Sequence, residues 1–206
     1  MSLAVFTIGH STHPAAQLHE LLKRHNVTAV ADVRSSPYSR LNPQFNRETL
    51  RQALKTLHSH YVFLGRELGA RSEDPNCYIG GKVQYDRLAE TSLFRAGLER
   101  VILGAKKYRV ALLCAEKDPL TCHRCILVAR HLVDQRVDVK HILASGTLES
   151  HADSLSRLLR ELGLKERELF RGSNDIIAEA YKARGQEIAY VQTESAHEKT
   201  PGGLTR

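Results

Sequence analysis

The sequence predicts an α/β fold with a mainly parallel sheet of about five strands and helices on both faces. Apolar, strand-like runs alternate with segments of helical periodicity along the chain, which is the order expected of strand–helix–strand crossovers. Residues 27–33 are mostly apolar and residues 110–113 are entirely apolar, as in strands that are covered on both sides. No internal repeat or heptad pattern competes with this interpretation.

The length of 206 residues fits one domain, which we place at residues 1–191. Residues 192–206 are polar and contain Pro201, Gly202 and Gly203, so they are predicted to be a disordered C-terminal tail. A chain of this length buries roughly 70% of its unfolded surface, so neither disulfides nor metal are needed for folding.

The first half of the sequence supplies three predicted strands and two helices. Residues 5–8, 27–33 and 61–64 form the strands. Pro14 opens the first helix in the position that proline tolerates best, and Asn46 is placed to cap the second. The apolar positions of each helix lie on one face, namely Leu18, Leu21 and Leu22, then Leu50, Ala53, Leu54 and Leu57.

The middle of the chain starts with an irregular stretch over residues 65–85, whose length indicates a functional or mobile loop. A single helix is predicted over about residues 86–106. Residues 109–114 form the fourth strand, which we expect to be central. The apolar positions of the helix are Phe94, Leu98, Val101, Ile102 and Ala105.

The last part of the chain supplies three helices and the fifth strand, residues 139–144. Ser150 lies three residues before Asp153, a spacing that resembles a capping box, and Ser173 is predicted to cap the final helix. Residues 187–191 follow as an edge strand or a docked segment. The helix before the fifth strand is predicted to bury Ile126, Ala129, Leu132 and Val133.

The net charge of +7 favours anionic partners without identifying one. A nucleic acid, a phosphorylated metabolite and a merely solvated basic surface all remain open. The first residues lack a basic region, and no apolar run approaches the roughly 20 residues needed to span a bilayer. We therefore expect a cytoplasmic protein with no membrane partner and with four reduced cysteines, Cys77, Cys114, Cys122 and Cys125.

Three loops are expected to share one site, because open α/β sheets bind ligands beyond the carboxyl ends of their strands. The first loop carries His10 and Ser11. The second begins at Asp32 and Arg34 and extends through Arg40 to Gln44, and the third runs from Cys114 to Arg124. All three contain polar residues that a plain connection would not require.

The third loop is the richest of them in reactive groups. Either Asp118 or Thr121 is expected to cap the following helix, which places Cys122, His123 and Arg124 within its first turns. The partial positive charge there stabilises thiolates and attracts anions. Cys122 is accordingly the best candidate for an ionised thiol.

Simpler interpretations stand beside these. Asp32 and Arg34 point to the same face of a strand and equally suit a structural ion pair. Cys125 aligns with the apolar face of its helix, and Cys77 equally suits a buried position. Cys122 and Cys125 form a lone Cys-x-x-Cys pattern, which is weak support for a redox or zinc site, and no metal is assigned.

These motifs resemble the domain of unknown function 488 family over about residues 3–191. The resemblance rests on residues 7–11, 32–34, 37–40, 44–46, 113–116 and 122–124 in combination. It implies an α/β fold but no reaction, and Cys125 lies outside the Cys-His-Arg signature. The site that it implies is shared by His10, Asp32, Arg34, Arg40, Cys114, Glu116, Cys122, His123 and Arg124.

The leading hypothesis from the sequence is an enzyme that acts on an anionic small molecule or nucleic acid. The predicted catalytic residues are Cys122, His123, Cys114, Glu116, His10 and Asp32, and the predicted substrate-binding residues are Ser11, Arg34, Arg40, Gln44 and Arg124. A nucleic-acid-binding module without chemistry is the first alternative, although aromatic residues are only 6% of the chain. A thiol-redox or metal protein is the second. Cofactors and oligomeric state are not assigned.

Overall fold

A computed structural model describes residues 3–165 and 172–192. Its main element is a six-stranded sheet of order β3-β2-β6-β1-β7-β8, in which neighbours are parallel except for the antiparallel pair β7-β8. The strands are β1 (Ala4–Gly9), β2 (Ala29–Asp32), β3 (His60–Phe63), β6 (Val110–Cys114), β7 (Asp138–Ile142) and β8 (Leu148–Ser150). A separate hairpin pairs β4 (Tyr78–Ile79) with β5 (Lys82–Val83). The predicted α/β fold with a mainly parallel sheet is confirmed.

Helices cover both faces of this sheet, as predicted. Alternate residues of β1 illustrate the division, because Val5 packs into one core and Phe6 into the other. On the Phe6 side lie α1 (Ala15–Arg24) and α2 (Arg47–Thr56). On the Val5 side lie α3 (Gly65–Leu68), α4 (Tyr85–Ala89), α5 (Ser92–Ala105) and α6 (Arg130–Asp134). A third apolar cluster joins α7 (His151–Glu161) to α8 (Ser173–Ile188).

The strand β6 is central, and all five of its residues are buried. Its register sets Cys114 beside Gly9 at the end of β1 and Leu113 beside Asp32 at the end of β2. The three loops singled out in the sequence therefore leave the sheet side by side at its carboxyl edge.

The helix predicted over residues 86–106 is two helices, α4 and α5. Thr91 has an extended backbone, and its hydroxyl accepts a hydrogen bond from the Phe94 amide, so a new helix begins there. The stretch over residues 65–85 is also more ordered than predicted, since it contains α3 and the hairpin. Gly80 and Gly81 turn that hairpin with positive φ angles of 55° and 75°.

Two predicted caps are wrong. Asn46 precedes α2, but its Oδ1 accepts from the Ser39 amide at 2.7 Å and makes no cap hydrogen bond. Ser173 is the first residue of α8, which follows Gly172, instead of its cap. The Ser150 cap is confirmed, because its hydroxyl accepts from the Asp153 amide at 3.1 Å.

Further corrections concern exposure and the end of the chain. Val133 is 39% exposed and is not part of the buried face of its helix, and Leu57 lies just past the end of α2 with 37% exposure. Of the two alternatives for residues 187–191, the docked segment is the one observed: α8 ends at Ile188, and residues 189–192 dock on the hairpin. In this segment the Tyr190 carbonyl accepts from the Val83 amide at 2.9 Å. The predicted tail beyond Gln192 lies outside the described residues.

None of the described helices combines the length and the apolar character that a membrane span requires.

Candidate functional site

A cleft of about 260 Å³ opens at the carboxyl ends of β2 and β6. The thiols of Cys114 and Cys122, the Glu116 side chain and the His123 ring form its floor. Arg34 and Ser35 at the end of β2 form one wall, and residues from the irregular stretch and from the docked segment form the other. The cleft thus lies at the carboxyl ends of the strands, where the sequence analysis expected a site.

Two thiols share one carboxylate oxygen in this floor. Cys114 Sγ donates to Glu116 Oε2 at 3.0 Å, and Cys122 Sγ donates to the same oxygen at 2.9 Å. Both cysteines are buried, with 2% and 1% of their surface exposed. The partner of Cys122 is thus Cys114, eight residues earlier in the chain, and not Cys125 of the Cys-x-x-Cys pattern.

The backbone around Cys122 explains this pairing. Asp118 caps only a short 3₁₀ turn, Pro119–Thr121, by accepting from the Leu120 amide. Cys122 itself is extended, with φ −138° and ψ 138°, and the helical backbone resumes after it. A π-helical segment, Arg124–Ala129, then leads into α6, so neither Asp118 nor Thr121 caps this helix.

The His123 ring lies against both thiols. Its Nδ1 is 3.6 Å from Cys114 Sγ and 3.9 Å from Cys122 Sγ, while its Nε2 contacts the Val33 carbonyl at 3.0 Å. Because a carbonyl only accepts, Nε2 carries a proton, and Nδ1 is the nitrogen that can exchange a proton with the sulfurs.

Arg124 is a buried cation whose charge acts on both thiols. Its two terminal nitrogens donate to the carbonyls of Glu116 at 2.7 Å and Lys117 at 3.1 Å, and its Nε lacks a hydrogen-bond partner. Within residues 3–165 and 172–192 no carboxylate lies within ion-pair distance of it. Arg124 therefore holds the loop that carries Glu116 and supplies an uncompensated positive charge to the sulfurs, instead of reaching into the cleft.

This charge distribution shifts the pKa values of the two thiols in opposite directions. Burial raises the pKa of Cys122, but hydrogen bonding with Cys114 and the charge of Arg124 outweigh burial and leave the pKa well below its usual value. Burial and the neighbouring Cys122 raise the pKa of Cys114. Burial followed by the charge of Cys122 raises the pKa of Glu116 as well. The site favours a single thiolate, at Cys122.

Histidine 123 completes this balance. Burial lowers its pKa, but its contact with Cys122 outweighs burial, so the net shift is upward. An imidazolium beside the sulfurs stabilises the Cys122 thiolate further.

The predicted residues Asp32, Arg34 and His10 form one buried network beside the cleft. Arg34 donates to Asp32 from Nε at 2.8 Å and from a terminal nitrogen at 2.6 Å, and it also donates to the Phe45 carbonyl at 2.9 Å. Tyr61 donates to Asp32 at 2.7 Å. The geometry is that of the structural ion pair considered above, so most donors of Arg34 are already occupied.

His10 belongs to the same network. Its Nδ1 donates to the Ser11 carbonyl at 2.7 Å, which leaves Nε2 to accept from Arg34 at 3.1 Å. Burial lowers the pKa of His10 to about 4. The ring is neutral and its lone pair is occupied, which suits a positioning residue better than a general base.

Three further predicted residues do not line the cleft. The Ser11 amide donates to the Ala115 carbonyl at 2.8 Å and so ties the first loop to the third. Gln44 donates to the His13 carbonyl at 3.2 Å. Arg40 is exposed, away from the thiols.

Sequence reasoning missed most of the cleft wall, including three aromatic or basic side chains. Tyr85 and Arg71 come from the irregular stretch, and Tyr190 comes from the docked segment. The Arg71 guanidinium stacks over the Tyr190 ring at 4.3 Å from its centroid. Only the unusual length of the irregular stretch could have indicated that it lines a site, because none of these three residues belongs to a local motif.

The four donor groups of the floor lie within 4.8 Å of one another, which is close enough to surround a metal ion. The sulfur–oxygen separations of 2.9 and 3.0 Å are hydrogen-bond lengths. A tetrahedral zinc ion holds sulfur and oxygen ligands roughly 3.5 Å apart. The geometry therefore favours two thiols hydrogen-bonded to the Glu116 carboxylate over a zinc site.

Fold and site together define an α/β protein with a thiol–carboxylate–imidazole cluster at the carboxyl edge of a parallel sheet. The chain belongs to the family described as Domain of unknown function DUF488, whose model matches residues 14–131. The match includes the second and third loops but not His10, and it ends before β7. No curated protein and no solved structure matches the chain significantly.

Proposed function

We propose that this protein is a cysteine-dependent enzyme in which the sulfur of Cys122 attacks an electrophilic centre of a substrate bound in the cleft. The observation that carries the proposal is the contact of Cys122 Sγ with Glu116 Oε2 at 2.9 Å, beside His123 and under the influence of the buried charge of Arg124. A nucleophilic thiol needs a proton acceptor and nearby positive charge, and this sulfur has both.

Protons balance within the cluster. Glu116 holds the proton that Cys122 has given up, so the sulfur attacks as the thiolate. One bond forms between sulfur and substrate, the bond to the leaving group breaks, and Glu116 passes its proton to the leaving group. Water cleaves the sulfur–substrate bond in a second step, gives a proton to Glu116 and restores the thiolate. The Cys114 thiol donates to Glu116 throughout and fixes the orientation of its carboxylate.

The charges at the cleft favour an anionic substrate of small size. Arg34 is neutralised by Asp32. Arg71 stands exposed on the opposite wall, held by stacking on Tyr190, and is the better anion ligand. The cleft volume of about 260 Å³ fits a small molecule or a single terminal group of a larger one.

The experiment compares the rates at which iodoacetamide alkylates the individual cysteines of the native protein. Peptide mass spectrometry identifies the modified residues. We expect Cys122 to react first, and Cys77, which is buried in the apolar core, to remain protected. Cys77→Ser serves as the matched control for Cys122→Ser in assays of a panel of small anionic esters, thioesters and phosphoesters. Equal protection of Cys122 and Cys77, or turnover that survives in Cys122→Ser, would overturn the proposal.

A second candidate function is thiol–disulfide exchange by Cys114 and Cys122. It is favoured by the single oxygen that both sulfurs contact, because two thiols so placed can be oxidised together by a disulfide substrate that is reduced to two thiols. Mild oxidation followed by peptide mapping tests it. A Cys114–Cys122 disulfide that forms reversibly in a glutathione redox buffer supports exchange, whereas thiols that stay free argue for the hydrolytic proposal.

A further inference from the structure

A second cluster of potential ligands lies behind the first, on the other side of the same helix. It consists of Cys125 in the π-helical segment, His141 in β7 and His151 at the start of α7. Their exposed fractions are 1%, 0% and 7%. None of the three lines the cleft that contains Cys122.

The three ligand atoms form a triangle. His141 Nε2 and His151 Nδ1 are 3.1 Å apart, and Cys125 Sγ is 3.7 Å from the first and 3.9 Å from the second. Zinc bonds of about 2.3 Å to sulfur and 2.0 Å to nitrogen, at tetrahedral angles, give edges of roughly 3.5 Å between sulfur and nitrogen and 3.3 Å between nitrogens. The observed edges agree with these within a few tenths of an ångström, unlike the short sulfur–oxygen edges of the first cluster.

The outer nitrogen of each ring is held by a hydroxyl group. Thr7 Oγ1 lies 2.7 Å from His141 Nδ1, and the Tyr181 hydroxyl lies 2.8 Å from His151 Nε2. Outer partners of this kind fix the ring orientation of metal-binding histidines. The two inner nitrogens face each other at 3.1 Å and also face the same sulfur, so that without an ion one ring must donate to the other.

We propose that Cys125, His141 and His151 bind one thiophilic transition-metal ion, of the zinc or copper(I) class. One thiolate and two imidazoles are the donor set that such ions prefer. A cavity of about 610 Å³, lined by His151, Tyr181 and Asp134 among others, reaches the cluster at His151, so an ion would enter from that side. The site is independent of the proposed cysteine chemistry.

The ion would cross-link the C-terminal part of the fold. Its ligands come from the π-helical segment, β7 and α7, and the outer hydroxyls come from β1 and α8. His141 and His151 lie beyond residues 14–131, so two of the three ligands are outside the family match. The proposed role is to attach the segment after that match to the sheet. The free energy of metal binding would then contribute to the free energy of folding.

The test uses chelator-treated full-length protein titrated separately with Zn²⁺, with Cu⁺ under anaerobic conditions, and with Co²⁺ as an optical probe. We expect one equivalent to bind, a thiolate-to-cobalt charge-transfer band, and an increase in thermal stability on loading. Tight binding of Zn²⁺ alone or of Cu⁺ alone identifies the ion.

Variants locate the bound ion. Cys125→Ser should abolish the charge-transfer band and weaken binding at least 100-fold, and Tyr181→Phe, which removes only the outer hydroxyl, should weaken it about 10-fold. Cys122→Ser and Cys77→Ser should bind as the unmodified protein does. If Cys125→Ser fails to fold, Tyr181→Phe decides the matter. Absence of stoichiometric binding, or loss of the ion in Cys122→Ser instead of Tyr181→Phe, overturns the proposal.

Discussion

Gly9 and Glu116 approach each other so closely that no side chain fits between them. A Cβ atom on Gly9 would lie 1.8 Å from the Glu116 carbonyl oxygen and 3.2 Å from a terminal nitrogen of Arg124. That carbonyl is the one that accepts from Arg124 at 2.7 Å. The end of β1 and the loop after β6 are thus locked together where Glu116 turns toward the thiols.

Gly9→Ala should therefore displace the Glu116 loop. We expect a loss of about 1–3 kcal/mol in the free energy of unfolding, because the obstructing atom is backbone and cannot rotate away. Urea denaturation measures it. In the matched control Gly104→Ala, the new Cβ meets Val110 at 3.7 Å, an ordinary contact, and replacement of a helical glycine should stabilise the fold by about 0.5–1 kcal/mol. Equal effects in the two variants would contradict the locking role of Gly9.

Glu116→Gln should distinguish attack by the Cys122 sulfur from protonation of the leaving group. Alkylation of Cys122 by iodoacetamide releases iodide, which needs no proton, so its rate should stay within about threefold of the unmodified protein. Turnover of a substrate with a basic leaving group should fall by about 10²–10⁴-fold, because the proton donor is lost. Parallel stopped-assay mass spectrometry and turnover measurements test this. A turnover rate unaffected by the substitution would remove Glu116 from the mechanism.

Arg71→Ala should change the preference of Cys122 between a charged and a neutral alkylating agent. The rate ratio of iodoacetate to iodoacetamide should fall by about 3–10-fold, as expected for loss of roughly 1 kcal/mol of attraction at a solvated site. Arg66→Ala, an exposed arginine of α3, removes the same charge nearby and is the control. A similar decrease in both variants would mean that only net charge matters.

Asp32→Asn should leave Arg34 buried without its counter-charge. Breaking one side of a buried pair costs about 3–5 kcal/mol of unfolding free energy. Glu20→Gln disrupts the exposed Glu20–Arg24 pair of α1 and should cost about 0.5 kcal/mol or less. Denaturant titration of both proteins gives the comparison, and costs of similar size would contradict the structural importance of the Asp32 pair.

His10 should make the fold sensitive to acid. Its pKa is about 4 in the fold against 6.5 for the ordinary side chain, so the unfolded chain binds the extra proton first as pH falls. The stabilisation is present above pH 6.5 and is lost between pH 6.5 and 4, by up to roughly 3 kcal/mol. Arg34 and Arg124 face the ring and oppose its protonation, whereas Asp32 favours it.

His10→Gln removes this titration while keeping an amide that can donate and accept. We expect the difference in unfolding free energy between the unmodified protein and the variant to shrink as the pH is lowered from 7 to 4.5. The other buried histidines are common to both proteins and cancel in the difference. A difference that stays constant with pH would contradict the assignment of a neutral, occupied ring.

The sequence predicted those features that depend on local periodicity. The buried leucines of α1 and the uninterrupted apolar run of β6 each follow from one segment alone. The break at Thr91 and the three-residue strand β8 were missed, because a single capping hydroxyl and a half-exposed edge strand carry little periodic signal. Strand-end reasoning also brought the three loops to one edge of the sheet, since it needs only the common direction of parallel strands.

Side-chain partners could not be predicted in the same way. Cys122 and Cys125 look like a pair in the sequence, but the extended backbone at Cys122 directs the two sulfurs to different clusters. Arg34 and Arg124 look like anion ligands, but each is occupied by groups that only the folded chain brings near. These partners depend on side-chain rotamers and on how closely the loops approach each other, and residue spacing in the sequence predicts neither.

The docked segment after α8 places Tyr190 at the cleft and its backbone on β5. A ligand that contacts Tyr190 or the arginine stacked on it binds more tightly when this segment is docked than when it is released. Thermodynamic reciprocity then requires that the same ligand favour docking by the same factor. Occupancy of the cleft should accordingly slow amide exchange at Val83, whose N–H donates to the Tyr190 carbonyl, and this can be measured without any knowledge of the reaction.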